Sequence, residues 1–361
     1  MSVFYHHLLR PVLFKFSPDA VHNFFIAVGE FSGKFAFLRW LFGLFYNYRG
    51  IDINKTVDGI IYRTPILLSA GFDPDGQLTR ILPSLSFGGE EIGSVTAQPS
   101  EGNPRPHFTR LVRNRSIVVY KGLRNHGVDA LIKKLRGVDR GVTLLRKETP
   151  RSRFVLGISI ARTNDQSASV DVEAGISDYV ESFKKLNEAN MGDYYAINIS
   201  CPNAHTGETF IDPKLLAQLL PRLREIPCVK PVYLKMPIHI SWEQFLELAD
   251  IADKNGVQGL IIGNANKNYK DLDYPEDAPK EFRGGLSGAP CKELSSDLIR
   301  KTRAKYGKRF TIIGSGGVMT PDDAMEKFAA GANLIQLISG MVFEGPDLIK
   351  EICERYANET R

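Results

Sequence analysis

Glycine turns, one lysine, a set of asparagines and one cysteine carry the chemistry in this sequence. Gly314-Ser315-Gly316-Gly317 follows an apolar run and precedes Thr320-Pro321-Asp322, a helix-capping pattern. Glycine lets backbone N–H groups close on an anion, so such a turn suits a phosphate. Gly284-Gly285-Leu286-Ser287-Gly288 reads as a second glycine-rich loop, and Ser339-Gly340 at the end of the last apolar run adds to the two. Each alone is equally a tight turn; their combination points to a phosphate cradle. Lys235 closes the apolar run Val232-Tyr233-Leu234. A lysine is rarely buried without a partner, so it is a structural ion pair, a fixed charge beside an electron-rich ring, or a Schiff-base lysine. Asn198, Asn203, Asn264 and Asn266 offer neutral donors and acceptors suited to a planar polar ring such as a pyrimidine or isoalloxazine. Cys201, between Ser200 and Pro202, is an inert core thiol or, once activated, a base or nucleophile. The absence of G-x-x-x-x-G-K-[ST] argues against a nucleoside triphosphatase.

These residues need a scaffold that brings distant loops together. Short apolar runs occur at 65–70, 91–96, 154–160, 195–200, 232–235, 259–263, 310–314 and 334–338. Helical patterns lie between most of them, at 176–189, 213–223, 242–255, 294–306 and 321–330. Eight apolar strands alternating with helices imply a parallel sheet covered on both faces, and the count favours a closed (β/α)₈ barrel of the α/β class. Chemistry in such a barrel sits at the C-terminal strand ends. Those ends hold Ser69-Ala70-Gly71, Ser94, Ser159, Asn198, Lys235, Asn264, Gly316-Gly317 and Ser339.

The 361 residues are 43% apolar and 24% charged, ordinary values for a globular chain. Four cysteines without a C-x-x-C pair make neither a disulfide framework nor a zinc site, so no metal is expected and a reducing compartment is the simpler setting. A net charge of +5 without a dense basic run gives no footprint for nucleic acid.

Residues 1–50 differ from the rest. They hold ten of the 21 phenylalanines and 14 aromatics in all. Ser17-Pro18-Asp19 starts a helix, and Val21, Phe24, Phe25, Val28 and Phe31 form an apolar stripe that Ser32-Gly33 ends. The stretch 35–48 is apolar nearly all round. No run reaches the roughly 18 residues of a spanning helix, and the flanks do not fit a cleaved signal peptide. Two readings stand: a helical pair with its aromatics in an ordinary core, or a pair in the membrane interface with Lys34, Arg39, Trp40, Tyr46 and Tyr48 at headgroup level.

Nearly the whole chain resembles the dihydroorotate dehydrogenases, most closely the membrane-associated class that passes electrons to quinone. The resemblance is carried by Ala70-Gly71-Phe72-Asp73, Glu91-Ile92-Gly93-Ser94-Val95-Thr96 and Gly102-Asn103-Pro104-Arg105-Pro106. Asn198 to Asn203, Lys235, Gly284 to Gly288, Gly314 to Gly317 and Leu334-Ile335-Gln336 extend it. It implies a residue 1–50 segment for membrane association and quinone access, followed by an FMN-binding barrel over 51–361. The flavin phosphate would lie on Gly288, Gly317 and Ser339, and the ring among Ala70, Gly71, Ser94, Ser159, Asn198, Lys235 and Gly263. Asn198, Asn203 and Asn264 would read the substrate edge, and Cys201 would take the C5 proton of dihydroorotate with Lys235 beside it. His22 and Arg110 would line a quinone tunnel. The implied setting is peripheral, on the cytoplasmic face of a bacterial inner membrane rather than in a mitochondrion.

The sequence departs from that family pattern at the substrate wall. The quinone class normally uses serine as base, where this chain has Cys201. The lysine that meets the substrate carboxylate is Pro74, and a substrate-binding asparagine is Val119. Leu123 and Arg124 replace Phe and Asn, Ser159 replaces an asparagine, Ala265 replaces a threonine, and Ile338 replaces a tyrosine. A buried carboxylate needs a cation, so Lys121 or Arg124 is expected to take over. The competing expectation is a diverged paralogue acting on another cyclic imide or unsaturated substrate.

Overall fold

The computed structural model describes residues 4–138, 153–164, 171–201, 209–280 and 284–360. Eight parallel strands close a barrel in the order β3 (Ile66–Leu68), β4 (Gly89–Val95), β7 (Val155–Ile160), β8 (Tyr194–Asn198), β9 (Val232–Met236), β10 (Gly259–Ile262), β12 (Thr311–Ser315) and β13 (Leu334–Leu337). Each of the eight expected apolar runs supplies one of these strands. Their residues are buried because helices cover the outside while side chains fill the interior.

The barrel floor is apolar and closed. A hairpin of β1 (Lys55–Val57) and β2 (Ile60–Tyr62) brings Val57 and Tyr62 against Tyr194, Tyr233, Ile261 and Leu334. Tyr233 donates to Asp58 Oδ2 at 2.7 Å, fixing the hairpin to the barrel wall. The floor leaves the opposite, C-terminal end as the place for a site.

A three-stranded antiparallel sheet lies outside the barrel: β5 (Phe108–Leu111), β6 (Ser116–Val119) and β11 (Gly285–Gly288). This corrects the reading of 284–288 as a loop, since Gly285 pairs with Val119 and Gly288 with Ser116. A Cβ at Gly284 would come 2.2 Å from the Val119 carbonyl, so glycine here permits close strand approach. Strand β12 also runs through Ser315, which leaves Gly316-Gly317 as the turn itself.

At the N-terminus, a helix spans Pro18–Lys34 and a second Ala36–Tyr46. The Ser17 hydroxyl caps the first by accepting from the Ala20 N–H at 3.2 Å. The helix continues through Ser32-Gly33, where the pattern had suggested a break, because Gly33 packs closely on Arg80. Arg39 then donates to the Gly33 carbonyl at 2.6 Å and ties the two helices together. Eight of the ten phenylalanines in residues 1–50 are exposed, up to 65% for Phe37, which overturns the reading of these aromatics as core. Tyr46 and Tyr48 turn inward instead: Tyr46 faces a cavity and Tyr48 packs on the barrel core. Among the described residues, no helix is long and apolar enough to cross a membrane.

Candidate functional site

A polar layer separates the apolar floor from the barrel mouth. Glu91 on β4 is fully enclosed, and Lys235 Nζ on β9 lies 3.5 Å from its Oε1. Gln336 on β13 donates through Nε2 to Glu91 Oε2 at 2.9 Å, and the Tyr194 hydroxyl donates to the same oxygen at 3.3 Å. Burial and the neighbouring Glu91 charge hold the Tyr194 phenol well above its ordinary pKa, so it stays a neutral donor. The ion-pair reading of Lys235 and the mouth-facing reading are therefore both met, because Lys235 also lines the cavity above. Glu91 and Gln336 enter the sequence reading only as ends of motifs, with no role, and Tyr194 not at all; an acid and a glutamine inside apolar strands are the available signal, since such groups require buried partners.

Above that layer the strand ends interlock. Asn198 Nδ2 donates to Ser94 Oγ at 2.9 Å, and Asn264 Nδ2 donates to the Ser200 carbonyl at 2.7 Å. Asn264 also reaches Asn198 Oδ1 at 3.2 Å, so β8 and β10 present one joined polar edge. Ser159 does not belong to the cavity wall. It is fully buried behind Ser94, with the two hydroxyls 2.7 Å apart, and supports that residue rather than a ligand. Asn266 is likewise withdrawn: its N–H donates to the Leu286 carbonyl at 2.8 Å, joining the outer sheet. Asn203 lies outside the described residues.

A cavity of about 550 Å³ opens over this edge, a volume typical of small-molecule sites. Ala70, Gly71, Ser94, Asn198, Cys201 and Lys235 face it at the mouth, together with Gly263 and Asn264. Gly288, Gly317 and Ser339 face it from another side, where the Ser287 and Ser339 hydroxyls stand 2.8 Å apart. Lys121 and Arg124 border it from the segment after β6. The cavity then runs on between the N-terminal helices and the barrel, past Val21, Val28, Phe42 and Leu82.

His22 and Arg110 stand along that apolar arm. His22 Nε2–H donates to the Phe72 carbonyl at 2.7 Å. Burial, reinforced by the Lys121 charge, holds His22 below its ordinary pKa, so the ring is neutral at neutral pH. Arg110 stacks 4.5 Å from the centre of the Phe14 ring and donates to the Phe16 carbonyl at 3.0 Å.

Gly317 has φ +75°, and a Cβ there would fall 2.4 Å from Lys292 Cα. Gly317→Ala is expected to cost roughly 1–3 kcal/mol of stability through strain and overpacking. The same change shifts the turn that closes the cavity. Denaturant titration of the purified variant checks the loss of stability.

The comparisons with known proteins agree with this arrangement. Residues 52–359 match the family model described as dihydroorotate dehydrogenase. A dihydroorotate dehydrogenase (quinone) from Thermosynechococcus vestitus is 31% identical, covering 96% of this chain and 94% of that protein. One of the same name from Christiangramia forsetii is 31% identical over 97% of this chain and 98% of its own length. Among solved structures, the Eimeria tenella enzyme in complex with ferulenol superposes with a TM-score of 0.80 at 22% identity, covering 96% of this chain and 94% of that one. With its closed parallel barrel, its polar mouth and a relationship spanning almost its full length, the chain belongs to the dihydroorotate dehydrogenase family of flavin oxidoreductases, in the quinone-dependent class.

Proposed function

We propose that this protein oxidises (S)-dihydroorotate to orotate with FMN as its cofactor and a membrane quinone as electron acceptor. The observation that carries the reading is the single continuous cavity. It joins the mouth at Asn198, Cys201 and Lys235 to the apolar arm at His22, Val28 and Arg110.

The residues fit a phosphorylated flavin. A Cβ built on Gly71 meets nothing within 4 Å, so the wall there leaves open space for a ring. Ser94, Asn198 and Lys235 supply donors around that space, and Ser287, Ser339 and the Gly316-Gly317 turn supply hydroxyl and backbone donors for a phosphate. The chemistry that FMN supplies when bound is acceptance of the substrate's hydride from C6 and onward delivery of the electron pair to quinone. Asn198 and Asn264 orient the substrate ring from the joined polar edge. Cys201 takes the C5 proton, a task for which a thiolate is a competent base. Lys235, already balanced by Glu91, keeps a positive charge at the mouth without demanding a counter-ion from the ligand.

Residues 1–50 are proposed to form the membrane-facing, quinone-access segment. What supports this is the exposed set Phe24, Phe31, Phe35, Phe37 and Phe45, an apolar surface suited to lying in a lipid interface. The proposed setting is the cytoplasmic face of a bacterial inner membrane, consistent with the bacterial relatives.

A second reading is favoured by one observation: Pro74, Val119, Leu123 and Ala265 make part of the mouth apolar, which would suit another cyclic imide or unsaturated substrate. Anaerobic addition of dihydroorotate to the detergent-purified flavoprotein separates the two. Bleaching of the flavin that reverses with a ubiquinone analogue is the expected result. A flavin that stays oxidised rejects dihydroorotate and leaves the second reading.

A further inference from the structure

We infer that Glu91 is a positioning residue that sets the reduction potential of the bound flavin, by pinning the Lys235 ammonium and offsetting part of its charge. The inference rests on the flavin reading above and adds to it a group that lies behind the cavity wall.

Lys235 lines the cavity, whereas Glu91, Gln336 and Tyr194 are not part of its lining among the described residues. In the barrel, β4 and β9 are separated by β7 and β8, so the 3.5 Å contact between Glu91 Oε1 and Lys235 Nζ crosses the interior. The glutamate side chain is wholly enclosed and that of the lysine is only 6% exposed. Among the described residues, neither has another ion-pair partner within 4 Å. The second carboxylate oxygen is held separately. It accepts from Gln336 Nε2 at 2.9 Å and from the Tyr194 hydroxyl at 3.3 Å. Ser69 Oγ donates to Gln336 Oε1 at 3.3 Å, which turns the amide so that its N–H groups face Glu91. Side chains from β8, β9 and β13 thus converge on one carboxylate.

Stability alone does not account for this layer. The attraction within a buried ion pair is largely offset by desolvation, and an apolar set of similar volume often serves as well. What the layer fixes is charge. A lone ammonium would present its full positive charge to the cavity; with Glu91 behind it, the pair presents the positive end of a dipole. Gln336 and Tyr194 act in the opposite sense, because each hydrogen bond donated to Oε2 offsets part of the carboxylate's charge. Burial and the Glu91 charge keep the Tyr194 phenol a neutral donor. A flavin gains electron density when it accepts a hydride, so positive charge beside it favours the reduced form. Neutralising Glu91 therefore raises the potential, and removing a donor to Glu91 lowers it.

The test is a dithionite titration of the purified, flavin-loaded protein against reference dyes, read by flavin absorbance at several values between about pH 6 and 9. No substrate takes part, so the result does not depend on dihydroorotate being the reductant. Glu91→Gln keeps the shape and removes the charge. It is expected to favour reduced flavin by about tenfold, roughly 30 mV upward for a two-electron couple. Glu91→Asp keeps the charge while disturbing the packing, and should stay within about threefold of wild type. Tyr194→Phe removes one donor and should shift the potential downward by about two- to fivefold. Retained flavin absorbance and Tm show that each variant is folded; if Glu91→Gln does not hold flavin, the direction of the Tyr194→Phe shift decides. A Glu91→Gln potential within about twofold of wild type throughout that pH range overturns the inference. So do Gln and Asp variants that shift alike, or a Tyr194→Phe potential that does not fall. A wild type that takes up no FMN on incubation rejects the flavin reading itself, and the inference with it.

Discussion

Cys201→Ala lowers the rate of flavin reduction by dihydroorotate by about a thousandfold and leaves reoxidation by quinone unchanged. General-base catalysis by a positioned side chain contributes roughly 10²- to 10⁴-fold, and alanine removes the base without adding bulk. The asymmetry between the two half-reactions comes from the cavity. Cys201 stands at the polar mouth with Asn198 and Asn264, whereas the quinone path lies along the arm past Val28 and His22. Stopped-flow measurement of each half-reaction separates them. Cys201→Ser sharpens the test, because a serine hydroxyl is a far weaker acid than a thiol with a pKa of about 8.5. The serine variant should therefore reduce the flavin more slowly than wild type. An alanine variant within threefold of wild type rejects Cys201 as the base.

The barrel was legible because its strands are buried on both faces. The run within β10 is continuous in apolar residues and that within β7 is broken only by Ser159, a pattern with few alternatives. The outer sheet was not legible for the opposite reason. β5 is Phe-Thr-Arg-Leu with mostly partial burial, and β11 is half glycine, which weakens any strand signal. Site residues at strand ends followed from the barrel itself, since that fold places its chemistry there. Ser159 shows the limit of that rule. Its position along β7 matches the mouth, yet the packing of β4 on β7 puts Ser94 in front of it. The N-terminal stripe shows another limit. Periodicity located the helix that begins at Pro18, but only the packing reveals that Phe24 and Phe31 point away from the barrel while Val21 and Val28 point towards the cavity. A period of 3.6 specifies a face, not what that face meets.

Val28→Trp is expected to lower kcat/KM for a long-chain ubiquinone analogue by roughly a hundredfold or more, because it fills the arm that such an acceptor must enter. Val28 borders the cavity from the Pro18–Lys34 helix, and Phe42 and Tyr46 of the next helix and Leu78 and Leu82 of the β3–β4 connection line the same cavity. An indole in place of an isopropyl group leaves little room between these walls. The added bulk costs about 1–3 kcal/mol of stability, which a barrel of this size tolerates. The substrate mouth is formed by other elements, so flavin reduction by dihydroorotate should proceed as in wild type. Ferricyanide, a small hydrophilic acceptor with no need of an apolar path, should oxidise both proteins at similar rates. Val28→Ala provides the reverse change and should leave quinone turnover within a few-fold of wild type. At the inner end of the arm, Arg110 and the neutral ring of His22 present polar groups that a quinone head could meet after passing the hydrocarbon walls. Undiminished turnover of the long-chain quinone by Val28→Trp would show that the acceptor reaches the flavin from elsewhere, and the helices over residues 1–50 would then need a different purpose.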